Sequence, residues 1–275
     1  MERIRRAFRL LGASWQVLKA DRELLILPVV SFLAIVAVAV PFGLAIWRGG
    51  AVEDEGLRNI DYVWQGLYYF VAYFIGIFFN AAVVGAATIR LQGGDPTVSD
   101  GLRLEWSKVG KIAGWAVVAA TVGLILHALE ERAGFLGRIV IAIVGAAWSA
   151  ITFFVVPVLL YEPVGVGSSI KRSASIFKQR WGETFVGTAA IGLAIILISI
   201  PVVVVIALIG VVSIPLAIAV GVLALGTLMA VGTALSGVFN AALYRYATAG
   251  ETGGAFSEAD LQATFRPKGR RSGLT

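Results

Sequence analysis

The sequence has no cysteine and little charge. The lack of cysteine excludes disulfide bonds, thiol catalysis and thiolate metal sites. Only 15% of the 275 residues are charged, whereas a soluble domain carries about 25%. The hydrophobic residues, 58% of the total, form long runs with the charges clustered between them. This pattern is typical of a polytopic α-helical membrane protein.

Catalytic signatures are missing as well. The sequence contains no P-loop, no HExxH and no GxSxG motif. No charged residue lies deep in a predicted span, whereas intramembrane charges usually mark proton relays and ion-coupled sites. The single histidine, His127, has Glu130 and Glu131 at ligand-like helical spacing, but it stands at a water-facing helix end. We therefore expect a protein that is not an enzyme and binds neither a cofactor nor a metal.

The long apolar runs predict an all-α fold, a bundle of six transmembrane spans. Each run is long enough as a helix to cross roughly 30 Å of hydrocarbon. The last two spans share a charge-free stretch, and we expect a turn between Gly210 and Pro215 to separate them. Pro201 should kink the fifth span. The first four predicted spans are Leu24–Trp47, Tyr62–Ile89, Ile112–Leu129 and Ile139–Tyr161.

Three short amphipathic helices are predicted at the membrane surface, before spans one, three and five. The third, residues 168–185, has one aromatic and aliphatic stripe, with its basic residues off that stripe. The second helix places its apolar face at Leu102, Trp106, Val109 and Ala113. The candidate interfacial anchors of these helices are Trp15, Trp106, Trp181, Lys171, Arg172, Lys178 and Arg180.

The three tryptophans of these helices suggest an internal repeat. Each follows Leu11, Leu102 or Phe177 by four residues, and each precedes a pair of spans. The repeating unit would be a surface helix and a helical hairpin, covering 1–90, 95–161 and 165–246 of a single membrane domain. A tail, 247–275, follows. Chance similarity among helices rich in alanine, glycine and valine is the alternative explanation.

The basic residues predict the orientation. Six spans place nineteen of the 23 lysines and arginines on the side of the two termini. By the positive-inside rule, both termini and the three surface helices are expected in the cytoplasm. The net charge of +6 then reflects the topology, and we expect anionic lipid headgroups as partners and no nucleic acid.

Two asparagines are the best candidates for polar contacts within the membrane. Asn80 and Asn240 occur in the same tetrapeptide, Phe-Asn-Ala-Ala, in spans two and six. An amide in hydrocarbon needs a hydrogen-bond partner, which a neighbouring helix can supply. We expect at least Asn80 to bond to a neighbouring span. The two side chains either join helices or line a path for a permeant or lipid.

Two stretches resemble a known family. The first runs from Ser14 to Lys19 and on to Pro28, and the second is Phe177–Thr184. They resemble an uncharacterised family of prokaryotic six-span membrane proteins that is described only as a domain of unknown function. The resemblance implies a plasma-membrane protein with six spans, and it carries no activity, ligand or site residue.

Two hypotheses for the function follow. In the first, the protein organises or assists other membrane components through a basic cytoplasmic face. In the alternative, it is a transporter or pore for a small or lipid-like solute that passes along the asparagine-bearing spans. A continuous polar cavity between spans two, four and six would favour the alternative, and a closed apolar interior would favour the first.

Overall fold

The computed structural model describes residues 2–48, 59–253 and 256, and within these ranges the chain is helical with no strand. The predicted loop at Glu53–Glu55 and most of the predicted tail lie outside the described residues. The helices are α1 (Glu2–Ala20), α2 (Glu23–Arg48), α3 (Asn59–Leu91), α4 (Val98–Trp106), α5 (Val109–Arg132), α6 (Phe135–Thr152), α7 (Val155–Tyr161), α8 (Val166–Val212) and α9 (Ile214–Ala249).

Six segments are long and apolar enough to cross a membrane, so the predicted six-span architecture is confirmed. Span four consists of two helices, α6 and α7. The predicted turn between spans five and six is a single residue, Ser213, whose Oγ accepts a hydrogen bond from the Leu216 N–H. The segments are Glu23–Leu44, Gly66–Leu91, Val109–Arg132, Phe135–Tyr161, Ile191–Val212 and Ile214–Ala249.

The third predicted surface helix is not a separate element. The helix α8 contains 47 residues and runs from the basic segment into span five without a break, passing through Pro201. No proline lies between Pro163 and Pro201, so nothing in this stretch strongly terminates a helix. At about 70 Å, α8 is far longer than the hydrocarbon layer. It therefore has no corner at which its basic part could turn into the bilayer plane.

The helix α4 folds back onto the end of span two. Its first turn is capped by Thr97 and Asp100, and the Val98 N–H also donates to Glu23 Oε2 at 2.8 Å. A Cβ added to Gly101 would lie 2.9 Å from the Ala82 carbonyl oxygen, so only glycine permits this approach of α4 to α3. The helix is thus docked on the protein.

The core lies toward one side of the bundle. We call this the terminal side, because it carries α1, α4 and the end of α9 at Gly250. Residues 81–88 of α3, 157–160 of α7 and 237–244 of α9 are all buried there. In contrast, α6 has no buried residue, and the segment Ile191–Val212 of α8 is largely exposed. The spans are therefore tightly packed near the terminal side and separate toward the other side.

Candidate functional site

Span four is interrupted next to a proline, and a side chain from span six fills the gap in its hydrogen bonding. Pro157 has no N–H, so the Phe153 carbonyl loses the donor that a regular helix would provide. Asn240 Nδ2 donates to that carbonyl at 2.9 Å. The Asn240 residue is only 8% exposed. Its amide therefore replaces the missing backbone donor in a buried place.

Ser173 of α8 binds two further backbone groups at the same break. The Phe154 N–H donates to Ser173 Oγ at 3.0 Å, and the Ser173 hydroxyl donates to the Ile151 carbonyl. Ser173 is fully buried. Together with Asn240, it fastens the interrupted span to α8 and α9 at one point, which we call the span-four junction (Ile151, Phe153, Phe154, Ser173 and Asn240).

Asn80 has a different environment from Asn240. It is half-buried, and no hydrogen bond from its amide is found among the described residues. The interhelical bond expected of Asn80 is thus made by Asn240. The Asn240 Oδ1 atom is buried, and no described group hydrogen-bonds to it.

The space between spans two, four and six is filled with apolar side chains near the terminal side. Val84, Phe154, Val158, Val238 and Phe239 are each at most 1% exposed and belong to one hydrophobic cluster. Phe153 and Phe239 also meet edge to face, with ring centroids 6.5 Å apart. These residues of the three spans therefore pack together in one apolar core.

Glu105 is a buried carboxylic acid on α4. It is fully buried, and both of its carboxyl oxygens lack a hydrogen-bond partner among the described residues. Its side chain occupies the space that Gly85 leaves open on α3. Burial raises the pKa of Glu105 to about 8. The carboxyl is therefore mostly neutral at pH 7.

Polar groups from three spans lie near Glu105. The Tyr161 hydroxyl hydrogen-bonds with Thr88, and Glu105 and Arg245 are both close enough to interact with it electrostatically. Arg245 Nη2 donates to Glu251 Oε2 at 2.6 Å, and Arg245 Nη1 is buried with no partner in the described residues. These four side chains, from Glu105, Thr88, Tyr161 and Arg245, form a terminal polar cluster at the ends of spans two, four and six.

The predicted tryptophan anchors have unlike surroundings. The Trp15 residue is 40% exposed, and Lys19 Nζ lies 5.6 Å from the centroid of its ring. Trp106 is 69% exposed and meets the Phe78 ring edge to face. The side chains of Trp181 and Arg180 lie outside those that the structure describes.

The basic residues of α8 divide into paired and exposed ones. Arg172 Nε lies 3.0 and 3.2 Å from the two carboxyl oxygens of Glu162, and Glu162 also accepts a hydrogen bond from the Tyr244 hydroxyl. Arg172 therefore belongs to an internal ion pair. Lys171 and Lys178 are exposed, with no ion pair among the described residues.

Comparison with known families identifies the chain. The model of DUF6159, a family of unknown function, matches residues 59–255, which is more than two-thirds of the sequence. The chain belongs to DUF6159. No curated protein and no solved structure matches it significantly.

The DUF6159 region begins at α3 and includes the last five spans. It contains the whole span-four junction and the whole terminal polar cluster, whereas α1 and α2 precede it. The match confirms that this is an uncharacterised membrane family, as the resemblance implied. The span-four junction and the terminal polar cluster therefore both lie in the part of the chain that the DUF6159 model covers.

Sequence reasoning missed Ser173 and all four residues of the terminal polar cluster. Glu105 was not expected to be buried, because the predicted apolar face of α4 excludes it; the small residues Ala81, Ala82, Gly85 and Ala86 were the available signal. Ser173 gave no signal in its own segment, but Pro157 within a span implies that nearby polar groups must satisfy the backbone.

His127, at the exposed end of α5, places Nε2 3.3 Å from Glu131 Oε1.

Proposed function

We propose that this DUF6159 protein is a non-enzymatic plasma-membrane protein that organises or assists other membrane components through a basic cytoplasmic face. The apolar core between spans two, four and six carries this proposal. A route for a polar solute needs groups that replace its hydration, and the buried residues that fill this core are apolar apart from Asn240 and, at the end of the core, the terminal polar cluster. The exposed surface on the terminal side, which we place in the cytoplasm, is then the part that can act on partners.

Anionic lipid headgroups are the partners that suit this surface. Lys19, Arg103, Lys171 and Lys178 are exposed on elements of the terminal side. Each basic residue near an anionic leaflet contributes about 1 kcal/mol of binding, which falls as salt rises. Nucleic acid is not a partner in this proposal, since the positive charge follows from the topology.

A transporter for a lipid-like solute is the second candidate. The observation that favours it is the unpaired Asn240 Oδ1 beside an interrupted span. Interrupted helices with free polar groups often form binding sites in transporters. In this protein, however, the NH₂ group of Asn240 already donates to the Phe153 carbonyl and so completes the hydrogen bonding of span four.

The orientation can be tested by cysteine labelling in intact cells. The chain has no cysteine, so single substitutions give an unambiguous signal. Asp54→Cys should react with a membrane-impermeant maleimide, and Lys171→Cys should react only after the cells are opened. Labelling of Lys171→Cys in intact cells, without labelling of Asp54→Cys, would reverse the topology.

The proposed function can be tested by purification of the tagged protein in a mild detergent. We expect anionic phospholipids to be enriched over their share of the membrane, and specific membrane proteins to copurify. Lys171→Gln/Lys178→Gln should reduce both, since it removes exposed charge and no described ion pair. A lipid composition equal to that of the membrane, with no copurifying protein, would contradict the proposal.

A further inference from the structure

A groove lies between the middle of span two and the last turns of α4. It has a volume of about 540 Å³ and is lined by Phe78, Leu102, Arg103, Trp106 and Ser107. The Phe78 and Trp106 rings meet edge to face, with centroids 5.7 Å apart, so they form an aromatic wall. The lining is apolar except for the groups that Arg103 and Ser107 supply. Its size lies within the range of about 300–1,000 Å³ that is usual for ligand sites.

The groove lies beside the start of span three. Phe78 is midway along the membrane-crossing segment Gly66–Leu91, whereas Arg103 and Trp106 belong to α4 and lie just before span three, which begins at Val109. Tryptophan is enriched at the boundary between hydrocarbon and headgroups, because its ring is apolar and its N–H is polar. The groove thus joins an apolar surface to an exposed positive charge.

The charge of Arg103 is available to a ligand. No ion pair of Arg103 is found within the described ranges. Its charge acts on Asp100, but the Asp100 carboxylate is already held by the Thr97 hydroxyl at 2.7 Å and the Thr97 N–H at 3.0 Å. The Ser107 hydroxyl is used as well, since it donates to the Leu104 carbonyl at 2.6 Å. A guanidinium with free donors suits a phosphate group, which it can bind through two hydrogen bonds.

We propose that this groove binds one anionic phospholipid, with an acyl chain against Phe78, Leu102 and Trp106 and the phosphate paired with Arg103. The inference rests on the proposed function, because it gives the anionic lipids of the basic face one specific site. A phospholipid with no net charge, such as phosphatidylcholine, carries a cationic group beside its phosphate. Pairing its phosphate with Arg103 therefore contributes less to binding. An anionic headgroup is therefore the occupant that fits both the apolar wall and the charge.

Native mass spectrometry of the full-length protein in detergent tests this site. The protein is mixed with equal amounts of phosphatidylglycerol and phosphatidylcholine, and the retained lipid is counted. Arg103→Gln should weaken the tightest phosphatidylglycerol binding about tenfold, as expected for loss of a charged hydrogen bond. Ser107→Phe, which narrows the groove but keeps the arginine, should weaken it too. Arg138→Gln, which removes an exposed arginine of α6 outside the proposed basic face, is the matched control and should leave this binding unchanged.

A photoreactive phosphatidylglycerol locates the site independently. A diazirine in its acyl chain should label peptides that contain Phe78 or residues 102–107. Labelling elsewhere would contradict binding of the lipid in the groove. If wild-type protein prefers phosphatidylglycerol and Arg103→Gln keeps that preference in full, the lipid does not bind in the groove. The proposed role of the basic face is then unaffected. If wild-type protein shows no preference, the lipid part of the proposed function fails along with the groove.

Discussion

Glu105→Gln should remove a pH dependence of stability that wild-type protein shows between about pH 4.5 and pH 8. The pKa of Glu105 is about 8 in the folded protein and 4.5 in the unfolded chain. Between these values the folded state binds more protons, so the free energy of unfolding falls as pH rises. The contribution is fully present below about pH 4.5 and is lost as pH rises through about 8. Its slope is at most about 1.4 kcal/mol per pH unit.

Thermal unfolding of the purified protein in detergent at pH 5 and pH 8.5 measures this effect. The melting temperature of wild-type protein should fall between these pH values by more than that of Glu105→Gln. Burial also raises the pKa of Asp21, so the difference between the two proteins isolates Glu105. Glu130→Gln, at an exposed position, should behave like wild type. An unchanged pH dependence in Glu105→Gln would show that the folded protein already holds this carboxyl ionised.

Asn240→Leu should destabilise the protein by about 1–3 kcal/mol, because it leaves the partly buried Phe153 carbonyl without a donor. This exceeds the average of about 0.6 kcal/mol for hydrogen bonds between membrane helices. The reason is Pro157, which removes the backbone donor that would otherwise take over. Asn80→Leu, in the same tetrapeptide, should change stability by less than about 0.5 kcal/mol, since its amide makes no described bond.

Chemical unfolding in mixed micelles measures these changes in stability. Adding Pro157→Ala to the set of variants shows whether the cost of Asn240→Leu comes from the lost hydrogen bond or from poorer packing. Pro157→Ala restores a backbone N–H, which can donate to Phe153 and so reduce the cost of Asn240→Leu in the double variant. Ser173→Ala should be as damaging as Asn240→Leu, since two backbone groups lose their partner. Ser168→Ala, exposed on the same helix, is its control. Equal costs for Asn80→Leu and Asn240→Leu would contradict this account of the junction.

The spans were predictable from the sequence, and the faces of the connecting helices were not. Long charge-free runs are enough to place six membrane segments and a turn between Gly210 and Pro215, which the structure narrows to Ser213. On α4, however, the pattern put Trp106 in the apolar face and left Glu105 out, whereas Trp106 is exposed and Glu105 is buried. In a membrane protein both the lipid and the core are apolar, so periodicity does not distinguish a lipid-facing residue from a buried one.

The candidate site shows the same limit. The amide of Asn240 in hydrocarbon demanded a partner, but nothing local identified the Phe153 carbonyl, 87 residues away. Ser173 lies on a helix that was expected at the bilayer surface, so its role in span four depended on contacts that no pattern encodes. The small residues of α3 and the single Pro157 were the only local signs of these contacts.

Because α8 is unbroken, span five and the basic segment before it belong to one continuous helix. It is fastened to span four at Ser173, seven residues from its start and thirty-nine from its end. The parts of α8 before and after Ser173 are therefore about 10 Å and about 59 Å long. The long part also packs along α9, with Ile195 against Gly232 and Ile206 against Gly221. A partner that displaced the basic end of α8 would therefore act on spans five and six together, with no solute passing through the membrane.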